Sequence, residues 1–525
     1  MRLTQTLSIA ILSTLLVACG GSLEGEKETT PDPVVSTDPT DPTDPTDPVI
    51  PSPAEPGVPS SFVYLGANPQ WIGIKGAAGP NQQESSIITF KLIDLNGKPV
   101  GGTDVDFSLI APNGTTINPL TGTTNNEGLV STTILSGSIS GSVRINVITS
   151  NGVSGSADDL AISTGLPSQE TMTMALTNLA PEAWDRVGVT SSVTVSLADR
   201  YHNAVPDGTS ISFTTEGGAI NDTETGTVGA CLTKGSKCVL TWRAQNPRPP
   251  GNKLSDVAFS GPGGCAESSV GSFAPCINPG GMGQPYGGRA TITSYTLGEE
   301  RFVDNDQNGL FEASIDTFYI ADDFPEVFYD HNEDGIYQDA PGTGIGDDYE
   351  SYHDLSGDGS YTAGNVKYNG LLCSDFSEGQ ETCSKKPINV RKSAVITMVK
   401  STLYARKLIN NDIGNSETDL IDLTISSHSV TVYLADIHNN PPPTGTIITV
   451  TTENGQLSGP TTFTVPNMTK SISKVGPFTF GFNVENEATP DDNNSGTLTI
   501  TAQTPEPNNG DTVTPPQTFT MSVTD

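Results

Sequence analysis

The sequence predicts an all-β chain of tandem sandwich domains, and three observations carry that prediction. Short runs alternating apolar with polar residues recur throughout, bounded by Gly, Pro, Asn and Asp, and long helix-period stretches are absent. The composition agrees: 525 residues include 55 Gly and 39 Pro, and only 16% are charged. The third observation is an internal repeat. Residues 193–218, VTVSLADRYHNAVPDGTSISFTTEGG, align without a gap to residues 430–455, VTVYLADIHNNPPPTGTIITVTTENG. Asp199 matches Asp436, Asn203 matches Asn440, Pro206 matches Pro443, and Gly208-Thr209 matches Gly445-Thr446. A further copy, ITFKLIDLNGKPVGGTDVDFSL, starts at Ile88, with Asp94 and Thr103 in equivalent places. Each copy reads as strand, polar turn, strand. The alternation turns Val193, Val195 and Leu197 to one face, which Ile211 and Phe213 continue. Such self-similarity signals tandem domains.

Taken in chain order, the first element is an export signal. Arg2 precedes a mostly apolar run from Leu7 to Ala18, too short to span a bilayer as a mature helix. It ends in Leu16-Val17-Ala18-Cys19-Gly20, which resembles the lipobox cleaved by the bacterial lipoprotein signal peptidase. The resemblance implies a signal peptide over 1–18 and lipid on Cys19, whose several acyl chains anchor stably. Gly20, where an aspartate would signal inner-membrane retention, directs the expectation to the outer membrane. Residues 19–61 then form a linker expected to be disordered. Its Thr-Asp-Pro repeat over 37–48 stiffens the chain toward polyproline II, and the aspartates repel one another. At about 3.1 Å per residue it reaches up to roughly 100 Å.

The repeat, with Thr124-Asn125-Asn126-Glu127-Gly128-Leu129-Val130, the strand Ser142–Val147 and the segment Gly288–Thr293, resembles the bacterial Ig-like group 1 (Big-1) domain of invasin- and intimin-like surface proteins. The resemblance implies immunoglobulin-like β-sandwiches placed end to end in a rod. The expected domains are 62–165, 168–400 and 402–525, the second including a disulfide-bearing loop at 246–287 and an irregular acidic insertion at 298–370. The third copy lacks a clear TDxxG segment after Gly455.

Apart from Cys19 there are six cysteines: Cys231, Cys238, Cys265, Cys276, Cys373 and Cys383. Six allow about 15 pairings; bridging 231–238, 265–276 and 373–383 is the simplest, and it suits an oxidising compartment. Cys231 to Cys238 reads as a hairpin stapled across its two strands, with the turn at Lys234-Gly235-Ser236.

Past the strand at Arg289, read as the last of the second domain, the chain changes character. From Glu299 to Asp358 there are 18 acidic residues against one Arg301. One pattern occurs three times: Glu300, Phe302, Asp304, Asp306, Asn308, Gly309, Phe311; then Glu326, Phe328, Asp330, Asn332, Asp334, Gly335, Tyr337; then Glu350, Tyr352, Asp354, Ser356, Asp358, Gly359, Tyr361. Oxygen-bearing side chains at every second position, followed by Gly, let a tight loop wrap a hard cation, and an all-oxygen set favours Ca²⁺. The loops resemble EF-hand or dockerin loops, with backbone carbonyls of Leu310, Ile336 and Ser360 as further ligands. Ile315, Pro341 and Asn365 stand where an EF-hand has its bidentate Glu, so the recurring Glu four residues before each first Asp is the candidate replacement. Asp316, Asp322, Asp323, Asp339, Asp347 and Asp348 are further possible donors. The aromatics are expected to pack small cores around each loop, with His331 and His353 pointing outward.

No catalytic constellation emerges from five histidines, and no nucleophile elbow, zincin motif, phosphate loop or dinucleotide fingerprint is present; the expectation is a non-enzyme. Trp242 reads as core. A net charge of −35 opposes nucleic acid and bare anionic lipid. The expected partners are therefore the membrane, through the N-terminal lipid, and a protein or glycan. The sequence suits a calcium-braced, surface-exposed lipoprotein for adhesion or interaction. A periplasm-facing scaffold of envelope or secretion assembly and a carbohydrate-binding module are the alternatives.

Overall fold

The computed structural model describes residues 57–525 apart from 77, 79–81, 223, 250–286, 332, 334, 340–349, 412–419, 425, 470–475 and 488–494. The signal peptide, Cys19, most of the linker, Cys265, Cys276, Asn332, Asp334, Pro341, Asp347 and Asp348 lie outside the described residues. Everything described falls in the unit Pro56–Asp525. No helix among the described residues is long and apolar enough to cross a membrane.

Domain 1 contains β1 (Ser61–Asn68), β2 (Trp71–Gly73), β3 (Ser85–Ile93), β4 (Asp104–Ile110), β5 (Thr116–Asn118), β6 (Thr121–Thr123), β7 (Leu129–Leu135), β8 (Gly141–Thr149) and β9 (Ser154–Ser163). One sheet runs β1-β3-β7-β5 and the other β2-β9-β8-β4-β6. The first strand divides between the sheets, with β1 antiparallel to β3 and β2 parallel to β9. This two-sheet order is an immunoglobulin-like sandwich, and inward side chains such as Phe90, Phe107, Ile145 and Ile162 fill it.

Domain 2 repeats the plan with β10 (Thr173–Leu176), β11 (Thr190–Ser196), β12 (Ser210–Thr215), β13 (Ala219–Asn221), β14 (Ala230–Leu232), β15 (Lys237–Arg243) and β16 (Arg289–Gly298). An insertion follows, holding β17 (Tyr368–Asn369), α1 (Asp375–Gly379) and β18 (Cys383–Ser384), and β19 (Ile388–Thr397) closes the domain. The sheets run β10-β11-β15-β13 and β14-β12-β16-β19. The divided first strand survives as a parallel bridge between Glu182 and Val399. Val193, Val195 and Ile211 are fully buried and Leu197 and Phe213 nearly so. Trp242 is buried too, its indole N–H donating to Gly217 O at 2.8 Å.

Domain 3 comprises β20 (Tyr404–Ile409), β21 (Leu420–Asp422), β22 (His428–Ala435), β23 (Ile447–Thr452), β24 (Gln456–Ser458), β25 (Thr462–Thr464), β26 (Phe478–Glu485), β27 (Ser495–Gln503) and β28 (Gln517–Thr524). Its sheets, β20-β22-β26-β24 and β21-β28-β27-β23-β25, restore the order of domain 1.

Two expectations need correction. The strand at Arg289 is not the last of domain 2: β16 pairs with β19 over ten residues, so the acidic segment is spliced between the last two strands. Alternation made β16 legible, whereas nothing local announces that its partner comes 90 positions later (Gly298 to Ile388). Cys231 and Cys238 do not staple a hairpin either. Lys234 and Lys237 close a tight turn, but β14 pairs with β12 and β15 with β11. The disulfide Cys231–Cys238 therefore joins the two sheets at their edge; a second, Cys373–Cys383, lies within the insertion.

Candidate metal centre

The three acidic loops share one turn at their glycines. The amide of each loop glycine donates to the first Asp: Gly309 to Asp304, Gly335 to Asp330 and Gly359 to Asp354, each at 2.9 Å. Those glycines have φ of 83°, 78° and 78°, and the residues two before them, Gln307, Glu333 and Gly357, are also left-handed at 59°, 58° and 75°. Side chains as different as Gln and Glu adopt this region only where a turn imposes it.

Each loop is closed by a carboxylate from outside its first eleven residues. In loop 1 Asp316 accepts from Asn305 N and Glu312 N, both at 2.8 Å. In loop 2 Glu350 accepts from His331 N and Gln338 N, both at 3.0 Å. In loop 3 Glu326 accepts from Leu355 N at 3.0 Å, Ser356 N at 2.8 Å and Thr362 N at 2.9 Å. In every case the closing carboxylate spans the amides one and eight residues past the first Asp.

The Glu preceding each loop thus does not close its own loop. Glu326 and Glu350 are exchanged, because Phe328 and Tyr352 pair antiparallel and carry each Glu beside its partner's turn. Glu300 lies apart, accepting from Phe324 N at 2.9 Å and from Asn369 N at 2.7 Å. Burial pushes Glu300 and Glu350 up to about 7, against the N–H groups that favour their ionised form. Asp354, in the open, is held below the usual carboxylate range, chiefly by the Gly359 amide.

Oxygens of Asp304, Asp306 and Asp316 lie within 4.8 Å of one another. Asp304 Oδ1 is shut off from solvent and has no hydrogen-bond partner. Asn308 belongs to the same loop, its Nδ2 donating to Asp306 at 3.0 Å and its Oδ1 accepting from Leu310 N at 2.7 Å. In loop 3, Ser356 Oγ donates to Asp354 at 3.2 Å, and Asp358 accepts from Ser360 N at 2.8 Å.

Aromatic side chains back the loops. Phe302, Phe311 and Tyr368 meet at centroid distances of 4.8–5.3 Å behind loop 1. Loops 2 and 3 share one cluster of Phe328, Tyr337, Tyr352 and Tyr361, with Tyr337 stacked on Tyr361 at 3.8 Å. Two cations that sequence reasoning missed fasten this pair to domain 2. Arg391, on β19, lies 4.9 Å from the Phe328 ring centroid and donates to Glu326 O at 2.8 Å. Arg289, on β16, grips Glu333 through two bonds of 2.7 and 2.8 Å. A lone Arg in an alternating strand gives no sign of either role. The histidines of these loops do not point outward. His331 pairs with Glu216 at 2.7 Å, and His353 packs on Tyr295 and Tyr329, drawn inward because the loops lie on the face of the sheet.

Fold and loops together define an all-β protein of tandem immunoglobulin-like sandwiches with a three-loop acidic insertion. No protein-family model matches the chain, and no curated protein matches it. It is similar to solved structures of bacterial adhesion proteins. Yersinia pseudotuberculosis InvD is 12% identical, over 88% of this chain and 97% of that one, at a TM-score of 0.24. The Escherichia coli adhesin FdeC is 12% identical, over 90% and 99%, at 0.22. Invasin, described as a bacterial integrin-binding protein, is 13% identical at 0.21, and the match spans 85% of this chain but 57% of that one. Likeness at this level adds nothing to the strand order already described.

Proposed function

We propose that the protein is a non-enzymatic cell-envelope lipoprotein, anchored through Cys19, which displays calcium-braced immunoglobulin-like sandwiches on the cell surface for adhesion to a protein or glycan. The observation that carries the calcium part is the recurrence of one loop geometry three times, each closed by a carboxylate across the same two amides. In loop 1, Asp304, Asp306 and Asp316 already converge, and Asp304 Oδ1 lacks any partner. An oxygen-only set of this kind suits Ca²⁺. Glu350 would serve loop 2 with Asp330, Asn332 and Asp334; Glu326 would serve loop 3 with Asp354, Ser356 and Asp358. The ion's charge would hold the crowded carboxylates ionised and the loops closed.

The surface part rests on the lipobox, the stiff acidic linker and the tandem sandwiches. Protease shaving of intact cells, with and without chelator, tests both parts. Release of fragments of 60–525 from unbroken cells, with new cleavage within 299–361 on chelation, is the expected result. Complete protection until the outer membrane is broken would favour the periplasmic scaffold. Cleavage within 299–361 that ignores chelator would remove the calcium brace.

A further inference from the structure

We infer that the first lobe of the insertion, residues 299–317 with 368–385, completes the core of domain 1 although the chain splices it into domain 2. Phe302, Phe311, Tyr368, Leu372, Cys373 and Cys383 are 0–3% exposed. They form one continuous apolar cluster with the domain 1 core, including Ile72, Ile74, Val143 and Ile162. The core of domain 2 is a separate cluster containing none of them. Removing such aromatics from water favours folding in proportion to the apolar area buried, and here domain 1 shares that gain.

Polar contacts point the same way. Thr164, just past β9, donates to the buried Glu299 carboxylate at 3.0 Å, and Tyr368 OH reaches its other oxygen at 3.4 Å. Arg200, in the turn after β11, lies 3.6 Å over the Phe302 ring and donates to Phe302 O at 3.0 Å. A Cβ placed on Gly309 would come within 3.7 Å of Ser138 O, in domain 1. The second lobe, which carries loops 2 and 3, is by contrast held on domain 2, through Arg289, Arg391 and the His331–Glu216 pair. The lobe thus acts as a wedge, shared by two domains and moving with neither independently. This inference stands whether or not the loops bind an ion.

Hydrogen–deuterium exchange on the full-length protein tests it. Phe302→Ala is expected to speed exchange in β8 and β9 about tenfold, although it lies about 140 residues downstream of them. Phe328→Ala, in the second lobe, should leave β8 and β9 unchanged. Where Phe302→Ala does not accumulate, Arg200→Lys, which keeps the charge and loses the planar stack, is read in the same way. Faster exchange confined to 299–385, with β8 and β9 unaltered in whichever variant is read, would overturn the wedge.

Discussion

Asp316 and Glu300 stand at opposite ends of the first acidic repeat, and only one of them faces the loop. Asp316 lies among the loop oxygens, whereas Glu300 is buried against Phe324 and Asn369. Asp316→Ala is therefore expected to lower the calcium stoichiometry by one in calorimetric titration. Glu300→Gln should keep the stoichiometry and lower the melting temperature. Loss of an ion in Glu300→Gln alone would reverse the two assignments. The repeat displayed Asp304 and Asp306 but not Asp316, which lies beyond it; nor could it display the exchange of Glu326 and Glu350, which depends on a strand pairing between loops.

His438 and Asp436, where domain 3 meets domain 2, are both shifted by burial, in opposite directions. The His438 ring lies 4.5 Å from the Trp184 ring, and burial, then Lys400, pushes it down to about 4. Its neutral form is favoured by folding, so its contribution is lost as pH falls from about 6.5 to about 4. Asp436 is raised by burial to about 7, and its contribution is lost as pH rises from about 3.9 through that value. His438→Phe keeps a ring beside Trp184 and removes one titration. The stability advantage of the parent over this variant should shrink by at most about 1.4 kcal/mol per pH unit between pH 6.5 and 4.5. Denaturant unfolding at both pH values measures it, and a constant difference would refute the role of His438.

Among elements, the strands with strict alternation were the legible ones. Val193, Val195, Leu197, Ile211 and Phe213 all face inward as their spacing requires. The far half of domain 3, without its TDxxG segment, still supplies β26, β27 and β28. What local pattern could not carry was pairing across long gaps, such as β16 with β19. The Cys231–Cys238 link shows the same limit, since a tight turn looks alike whether its strands pair or part. Joining two sheets, this bond restrains the edge of the sandwich. Replacing both cysteines by Ser should cost about 2 kcal/mol in denaturant unfolding, without altering calcium stoichiometry. An unchanged midpoint would mean that packing alone holds that edge.

At the scale of the molecule, consecutive domains meet by one rule. The turn after the second strand and the loop before the last strand of each following domain pack on the domain before it. In domain 3 the loop 504–516 sends Asn508 and Asn509 to backbone carbonyls of Thr190 and Val187, at 2.8 and 2.9 Å. It also receives Arg186 of domain 2 on Thr512 O at 3.0 Å. In domain 2 the corresponding loop has grown into the acidic insertion. In domain 1 it is only the turn Ser150–Val153, between β8 and β9, and Leu95, in the turn after β3, is 90% exposed. Nothing in the repeat foretold this rule, because it is written in loops where alternation stops.

The wedge also sets a clock. A chain synthesised N-terminus first presents domain 1 long before Tyr368 and Cys383 emerge. Domain 1 must wait through more than two hundred further residues, from Ser163 to Cys383, with part of its apolar pole uncovered. Such late, non-local closure lengthens exposure to aggregation and to proteases. Folding of domain 1 is thus finished only when the segment carrying the Cys373–Cys383 bond has docked on it.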